Sequence, residues 1–122
     1  MLIKDLYTIS QFNASENKVN AEIHLNKDHK IFKGHFPGNP VMPGVCMIQI
    51  IKELTEKVTA TNLFLSQTSN IKFMAIINPD ATPDLSLNLT IIETETGFKV
   101  KNTSSFNDTL ALKMNATFTV VS

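Results

Sequence analysis

The chain has 122 residues, of which 43% are hydrophobic and 18% charged. That suffices for one globular core and is too apolar for a disordered chain. The formal net charge is zero and all 11 basic residues are lysine. This speaks against a nucleic-acid partner and leaves no guanidinium to clamp a phosphate or carboxylate in two-pronged fashion.

"LIKDLYTIS" opens the chain as a weak strand candidate. "KVNAEIHL", residues 18–25, is a stronger one, because Val19, Ala21, Ile23 and Leu25 fall on one face. His24 lies on the opposite face and His29 in the loop beyond. Both read as solvated, and their spacing to His35 is no metal-site pattern. From Asn26 to Gly44 the sequence is loop-like, with Gly and Pro concentrated in its second half.

A helix is predicted from about Pro43-Gly44 to Thr59. Pro suits a helix start because its missing N–H would be unpaired there. Val45, Cys46, Met47, Ile48, Ile50, Ile51, Leu54 and Val58 make this helix apolar on nearly all sides early on, so it must be buried on nearly all sides. The lone Cys46 lies there, reads as an inert core thiol, and fits a reducing cytoplasm. After "TATNLFLSQT", strands are expected at "NIKFMAII", "DLSLNLTIIETE", "GFKVKNTSSF" and "TLALKMNATFTV". The last three read as an antiparallel meander. Two strands, one buried helix and four strands define an α+β domain with an antiparallel sheet rolled around the helix. No segment has the ~20-residue apolar length of a membrane span or the features of a signal peptide. One domain over 1–122 is expected.

Between the second strand and the helix lies "FKGHFPGNPVMPGV". This stretch resembles the signature of the 3-hydroxyacyl-ACP dehydratases, the FabA/FabZ family, and "NIKFMAIINPDATPDLSLNL" resembles that family's third strand and the turn into its fourth. The resemblance covers residues 18–92 and implies the hotdog fold. It implies elimination of water from a 3-hydroxyacyl thioester, carried by acyl carrier protein, to give a 2-enoyl thioester in fatty-acid or related synthesis. His35 would be the base that removes the α-proton. Gly44 would direct its backbone N–H at the thioester carbonyl, with the carbonyl of Val41 holding the imidazole. Phe32 and Phe36 would help line an acyl tunnel, although as residue types both also suit the core. The family builds each site across a dimer interface, so a homodimer or higher even oligomer is implied, and no metal or organic cofactor.

The family helix typically reads Glu-Ala-x-Ala-Gln, its first residue being the acid that protonates the leaving hydroxyl. Here those positions are Gln49, Ile50, Ile51, Lys52 and Glu53. The carboxyl is thus displaced by about 6 Å along the helix axis. Gln49 can donate a hydrogen bond but not a proton, and losing an acid typically costs about 10²–10⁴ in rate. Glu53 either reaches back as a substitute acid or is a surface residue paired with Lys57 at i+4. Three readings follow: a weakened dehydratase, a non-catalytic acyl-ACP binding or partner subunit of a paralogous dehydratase, or a hotdog thioesterase. Lys27, Lys30 and Lys33 cluster ahead of the motif and are candidates for docking an acidic carrier protein.

Overall fold

The structure is a computed structural model that describes residues 5–33 and 40–121. The strands are β1 (Tyr7–Ser15), β2 (Lys18–Leu25), β3 (Leu63–Phe73), β4 (Asp84–Glu93), β5 (Gly97–Phe106) and β6 (Thr109–Val120), and the helix α1 runs from Gly44 to Thr59. They form one antiparallel sheet in the order β1-β2-β4-β5-β6-β3. β2 occupies the predicted residues because its alternation is complete: Val19, Ala21, Ile23 and Leu25 are all buried. Leu85, Leu87, Leu89 and Ile91 of β4 and Leu112, Met114, Ala116 and Phe118 of β6 point into the same core. Period-two burial on a one-sided sheet fixes this register, since a one-residue slip would expose every such side chain.

Met47, Ile50, Ile51 and Leu54 of α1 are buried to within 1% against this face. Each is worth roughly 1.5–3 kcal/mol by burial, so packing rather than helix propensity holds α1 in place. Pro43 is the N-cap, one position earlier than a first helical residue, and its carbonyl accepts from Cys46 N and Met47 N. The helix closes on Ala60, a non-glycine residue with φ 53°.

Two turns complete the meander. Asn107 and Asp108 both take positive φ, the conformation a two-residue hairpin turn requires. At the other, a methyl group on Gly97 would collide with the carbonyl oxygen of Phe118, so only glycine fits there.

The prediction for β3 needs correction. The strand starts at Leu63 and ends at Phe73, not over residues 70–77. It is an edge strand, exposed at nearly every position, with register shifts between Leu65 and Gln67 and between Ser69 and Lys72. An edge strand with two irregularities shows no alternation for a periodicity argument to find. Among the described residues ahead of α1, a 3-10 turn spans Lys30–Lys33.

Candidate active site around the two ends of the helix

The backbone N–H of Met42 donates to Ile77 O at 2.8 Å, tying the entry of α1 to the segment after β3. Between these two segments lies a cleft of about 500 Å³, lined by Val41, Met42, Pro43 and Gly44 on one side and Phe73 to Ile77 on the other. Its lining is mostly apolar, and several of its side chains are open to solvent: Phe73 is 49% exposed, Met74 44% and Ile76 70%. Gly44 opens the helix there, as expected, and an N–H at a first helical position has no intrahelical acceptor. The helix dipole adds partial positive charge at the same place. A Cβ on Gly44 would stand 3.2 Å from the ring of Phe73. The glycine therefore admits the Phe73 ring as well as leaving its own N–H approachable.

Phe73 is the aromatic wall that the sequence reading missed. It lay inside a stretch read as a regular strand, and only its place at the strand end turns it toward Gly44. Phe32, by contrast, is not among the cleft residues. It is 5% exposed in the main core, its N–H bonded to His29 O and its ring edge-on to the His29 ring. His35 and Phe36 lie outside the described residues, and so does any contact between His35 and the carbonyl of Val41.

One turn further along α1 the side chains of Gln49 and Glu53 meet. Gln49 Nε2 donates to Glu53 Oε2 at 2.8 Å, and Tyr7 OH of β1 donates to Glu53 Oε1 at 2.8 Å. The expectation of a surface Glu53 paired with Lys57 is overturned. Glu53 is half-buried, and both its oxygens accept bonds from uncharged donors. Lys57 instead sits 5.4 Å from the ring centre of Phe12. The i,i+4 ion pair of this helix is Lys52–Glu56 at 3.5 Å, and Glu56 also accepts from Leu63 N at 2.8 Å, clamping the end of α1 to the start of β3. Burial, the hydrogen bond to Glu53 and its negative charge together push the Tyr7 phenol well above the ordinary tyrosine range. Tyr7 is therefore a fixed donor. No sequence signal announces this contact, which spans 46 positions and depends on β1 folding over the helix.

The remaining candidates fall as follows. Lys27, Lys30 and Lys33 are exposed, and Lys27 reaches Asp80 at 3.9 Å across the surface. His24 is exposed but bonds Asp84 at 2.7 Å. His29 is half-buried, its Nδ1 accepting from Ile31 N; neither histidine is simply solvated. Cys46 is fully buried, and burial pushes its thiol upward, away from the reactive range. Among the described residues no group of His, Cys, Asp and Glu is placed to hold a metal ion. No helix among them is long and apolar enough to cross a membrane.

A six-stranded antiparallel sheet wrapped on one helix, with a cleft at the helix start, is a hotdog-fold protein. The chain belongs to the ApeI-like family: the family model, described as ApeI dehydratase, matches residues 11–111. It is 29% identical over 119 residues to the 3-hydroxyacyl-[acyl-carrier-protein] dehydratase FabZ of Lactobacillus helveticus, covering 92% of this chain and 79% of that one. Among solved structures, a chain of the dehydratase heterocomplex ApeI:P from Xenorhabdus doucetiae superposes with a TM-score of 0.78 at 18% identity, covering 92% of this chain and 96% of that one. A hypothetical thioesterase with coenzyme A from Streptococcus pneumoniae superposes with a TM-score of 0.68 at 12% identity, over 95% and 86% of the two chains. These two likenesses speak to the fold. The FabZ-like sequence relationship and the family model together point to dehydratase-like chemistry.

Proposed function

We propose that this protein handles 3-hydroxyacyl chains carried by acyl carrier protein as a weak or partner-dependent dehydratase, with 1–122 acting as one domain. The observation that carries the proposal is the committed state of Glu53. Its two oxygens are taken by Tyr7 and Gln49, while the family acid position holds an amide. In this reading His35 removes the α-proton and the N–H of Gly44, with the helix dipole behind it, stabilises the developing enolate. The apolar cleft beside Phe73 receives the acyl or pantetheine portion, and Lys27, Lys30 and Lys33 meet the acidic carrier. Among the described residues, neither the amide of Gln49 nor the occupied Glu53 offers a free proton for the departing hydroxyl.

Assembly supplies the missing half. Among the described residues, β3 has no strand partner on one edge, and it exposes Phe64, Ile71 and Phe73. Unpaired apolar edges are what strand pairing between subunits covers. A second copy, or a paralogue that contributes the acid, fits this edge. The fold neighbour from Xenorhabdus doucetiae is itself part of a dehydratase heterocomplex, which favours considering the paralogue.

The test exchanges the two side chains. Gln49→Glu with Glu53→Gln keeps a bond between the positions and puts the carboxyl where the family has it. A half-buried carboxyl is a better acid because desolvation raises its pKa. Dehydration of 3-hydroxyacyl-ACP should rise at least about tenfold over the native protein alone, the low end for a positioned acid being ~10². A native homodimer already at the full rate of ordinary family members, and indifferent to Glu53→Gln, would refute the proposal. Release of free acid instead of enoyl thioester would favour the thioesterase reading.

A further inference from the structure

The charges of this chain cancel in sum but not in place. β3, β5 and β6 span 11, 10 and 12 residues, and they carry four lysines and no Asp or Glu. Glu22, Asp84 and Glu93 lie on the other half of the sheet, in β2 and β4. Lys99, Lys101 and Lys113 are exposed, while their strand neighbours Val100, Asn102, Leu112 and Met114 are buried in the core. Strand alternation therefore puts these lysines on the outer face of the sheet, away from the helix. Lys72, also exposed, is the register partner of Lys113 and shares that face. Like charges directly opposite one another destabilise a sheet. Among the described residues the ion pairs are His24–Asp84, Lys27–Asp80 and Lys52–Glu56, so no carboxylate neutralises any of the four.

We infer that this acid-free half of the sheet is a docking face for an anionic lipid bilayer, which the protein touches peripherally and reversibly. Lys18 extends the face, because Lys18 stands opposite Thr90 and Thr90 opposite Lys101. From β2 to β3 the lysines cover four interstrand spacings, about 19 Å. The uncharged polar partners across from the four are Thr90, Thr103, Asn115 and Thr117, and the chain has no arginine. A protein partner is the weaker fit, since interfaces between proteins are depleted in Lys and Ser and enriched in aromatic residues and Arg. A field of anionic headgroups needs no such anchors and attracts each lysine as a point charge. Ile92, 46% exposed and directly opposite Lys99, adds an apolar side chain of the kind that enters the headgroup boundary. Pairing along the free edge of β3 would extend this face in the plane of the sheet and leave it uncovered. Lys72 is followed by Phe73 of the apolar cleft, so the bound surface borders that cleft.

The test is co-sedimentation of the full chain with vesicles of phosphatidylcholine alone and of an equal mixture of phosphatidylcholine and phosphatidylglycerol. At low salt the native protein should bind the mixed vesicles and not the neutral ones. Binding should vanish at about 1 M salt, where charges are screened beyond about 3 Å. Each lysine near an anionic surface contributes about fivefold in affinity, so Lys101→Gln with Lys113→Gln should weaken binding roughly 25-fold. Both changes are on exposed side chains and relieve like-charge repulsion, and an unchanged unfolding midpoint shows that the fold is kept. Lys27→Gln with Lys30→Gln removes the same charge from the loop before the helix and should leave vesicle binding close to native. Equal binding to both kinds of vesicle, or equal losses in the two double variants, overturns the inference. Failure of the native protein to bind mixed vesicles overturns it as well. If, in addition, Lys101→Gln with Lys113→Gln loses binding to acyl carrier protein, the face belongs to an acidic protein instead. The dehydratase reading does not depend on any of these outcomes.

Discussion

The two halves of α1 are built in opposite ways. The N-terminal end has no side-chain cap, leaves Val45 73% exposed, and borders an open apolar cleft through Gly44. The later half is sealed: Tyr7 and Gln49 hold Glu53, Lys57 lies on Phe12, and Glu56 fastens Leu63 and Lys52. The contrast teaches that one helix divides the labour, with orphan N–H groups kept available at one end and nearly every polar group committed at the other. Burial of Met47, Ile50, Ile51 and Leu54 between them lets the open end stay open without loosening the fold.

The sharpest test of this division is His35→Ala, in the motif that precedes the helix in the sequence. Elimination measured on 3-hydroxyacyl-ACP, in whatever assembly turns over, should fall by roughly 10²–10⁴. Thermal unfolding should stay within about a degree or two of native, since the Gly- and Pro-rich sequence around His35 carries no apolar period. A large loss of stability in this variant would break the comparison.

At the sealed end, Glu56→Ala should do the reverse. It removes the acceptor of Leu63 N and strands Lys52, whose side chain is only 17% exposed. The expected cost is about 1–3 kcal/mol, read from the urea midpoint at unchanged slope. Turnover per folded molecule should be preserved.

Tyr7→Phe gives the smallest effect, about 1 kcal/mol at neutral pH from one lost hydrogen bond. Its pH dependence sharpens the point. The folded state holds the phenol proton more tightly than the unfolded chain does. Tyr7 therefore stabilises fully below about pH 10, the unfolded value, and that contribution is lost as pH climbs toward the raised folded value. Urea unfolding of the native protein should weaken more steeply above about pH 10 than that of Tyr7→Phe. Parallel alkaline limbs would show that Tyr7 is not held as described.

Where the sequence was legible, one physical signal dominated. β2 repeats a single period of burial and its limits at Lys18–Leu25 follow from it, whereas α1, Gly44–Thr59, is legible from its Pro-Gly start and apolar content, which did not separate exposed Val45 from buried Cys46 and Met47. β4 and β6 behave like β2, whereas β5 buries the polar residues Asn102 and Ser104 and is legible only from the turn at Gly97. β3 was misplaced because an exposed edge strand carries no such period. The motif identified the helix start and its glycine, but the ring against that glycine, Phe73, comes from a segment 29 positions on. The pairing of Gln49 with Glu53 could be anticipated from i,i+4 spacing. Tyr7 could not, because its contact with Glu53 joins residues 46 positions apart and depends on where β1 lies against the helix.

Cys46, two positions into the helix from Gly44, gives this architecture a built-in clock. It is the chain's only thiol, has no measurable surface, and is harder to ionise than a free cysteine. A thiol reagent can reach it only when the first turn of α1 lifts from the sheet. The rate of labelling under native conditions therefore counts openings of that end, and its denaturant dependence gives the size of each opening. A shallow dependence would mean that the first turn frays by itself, and a steep one that the helix leaves the sheet as a single unit.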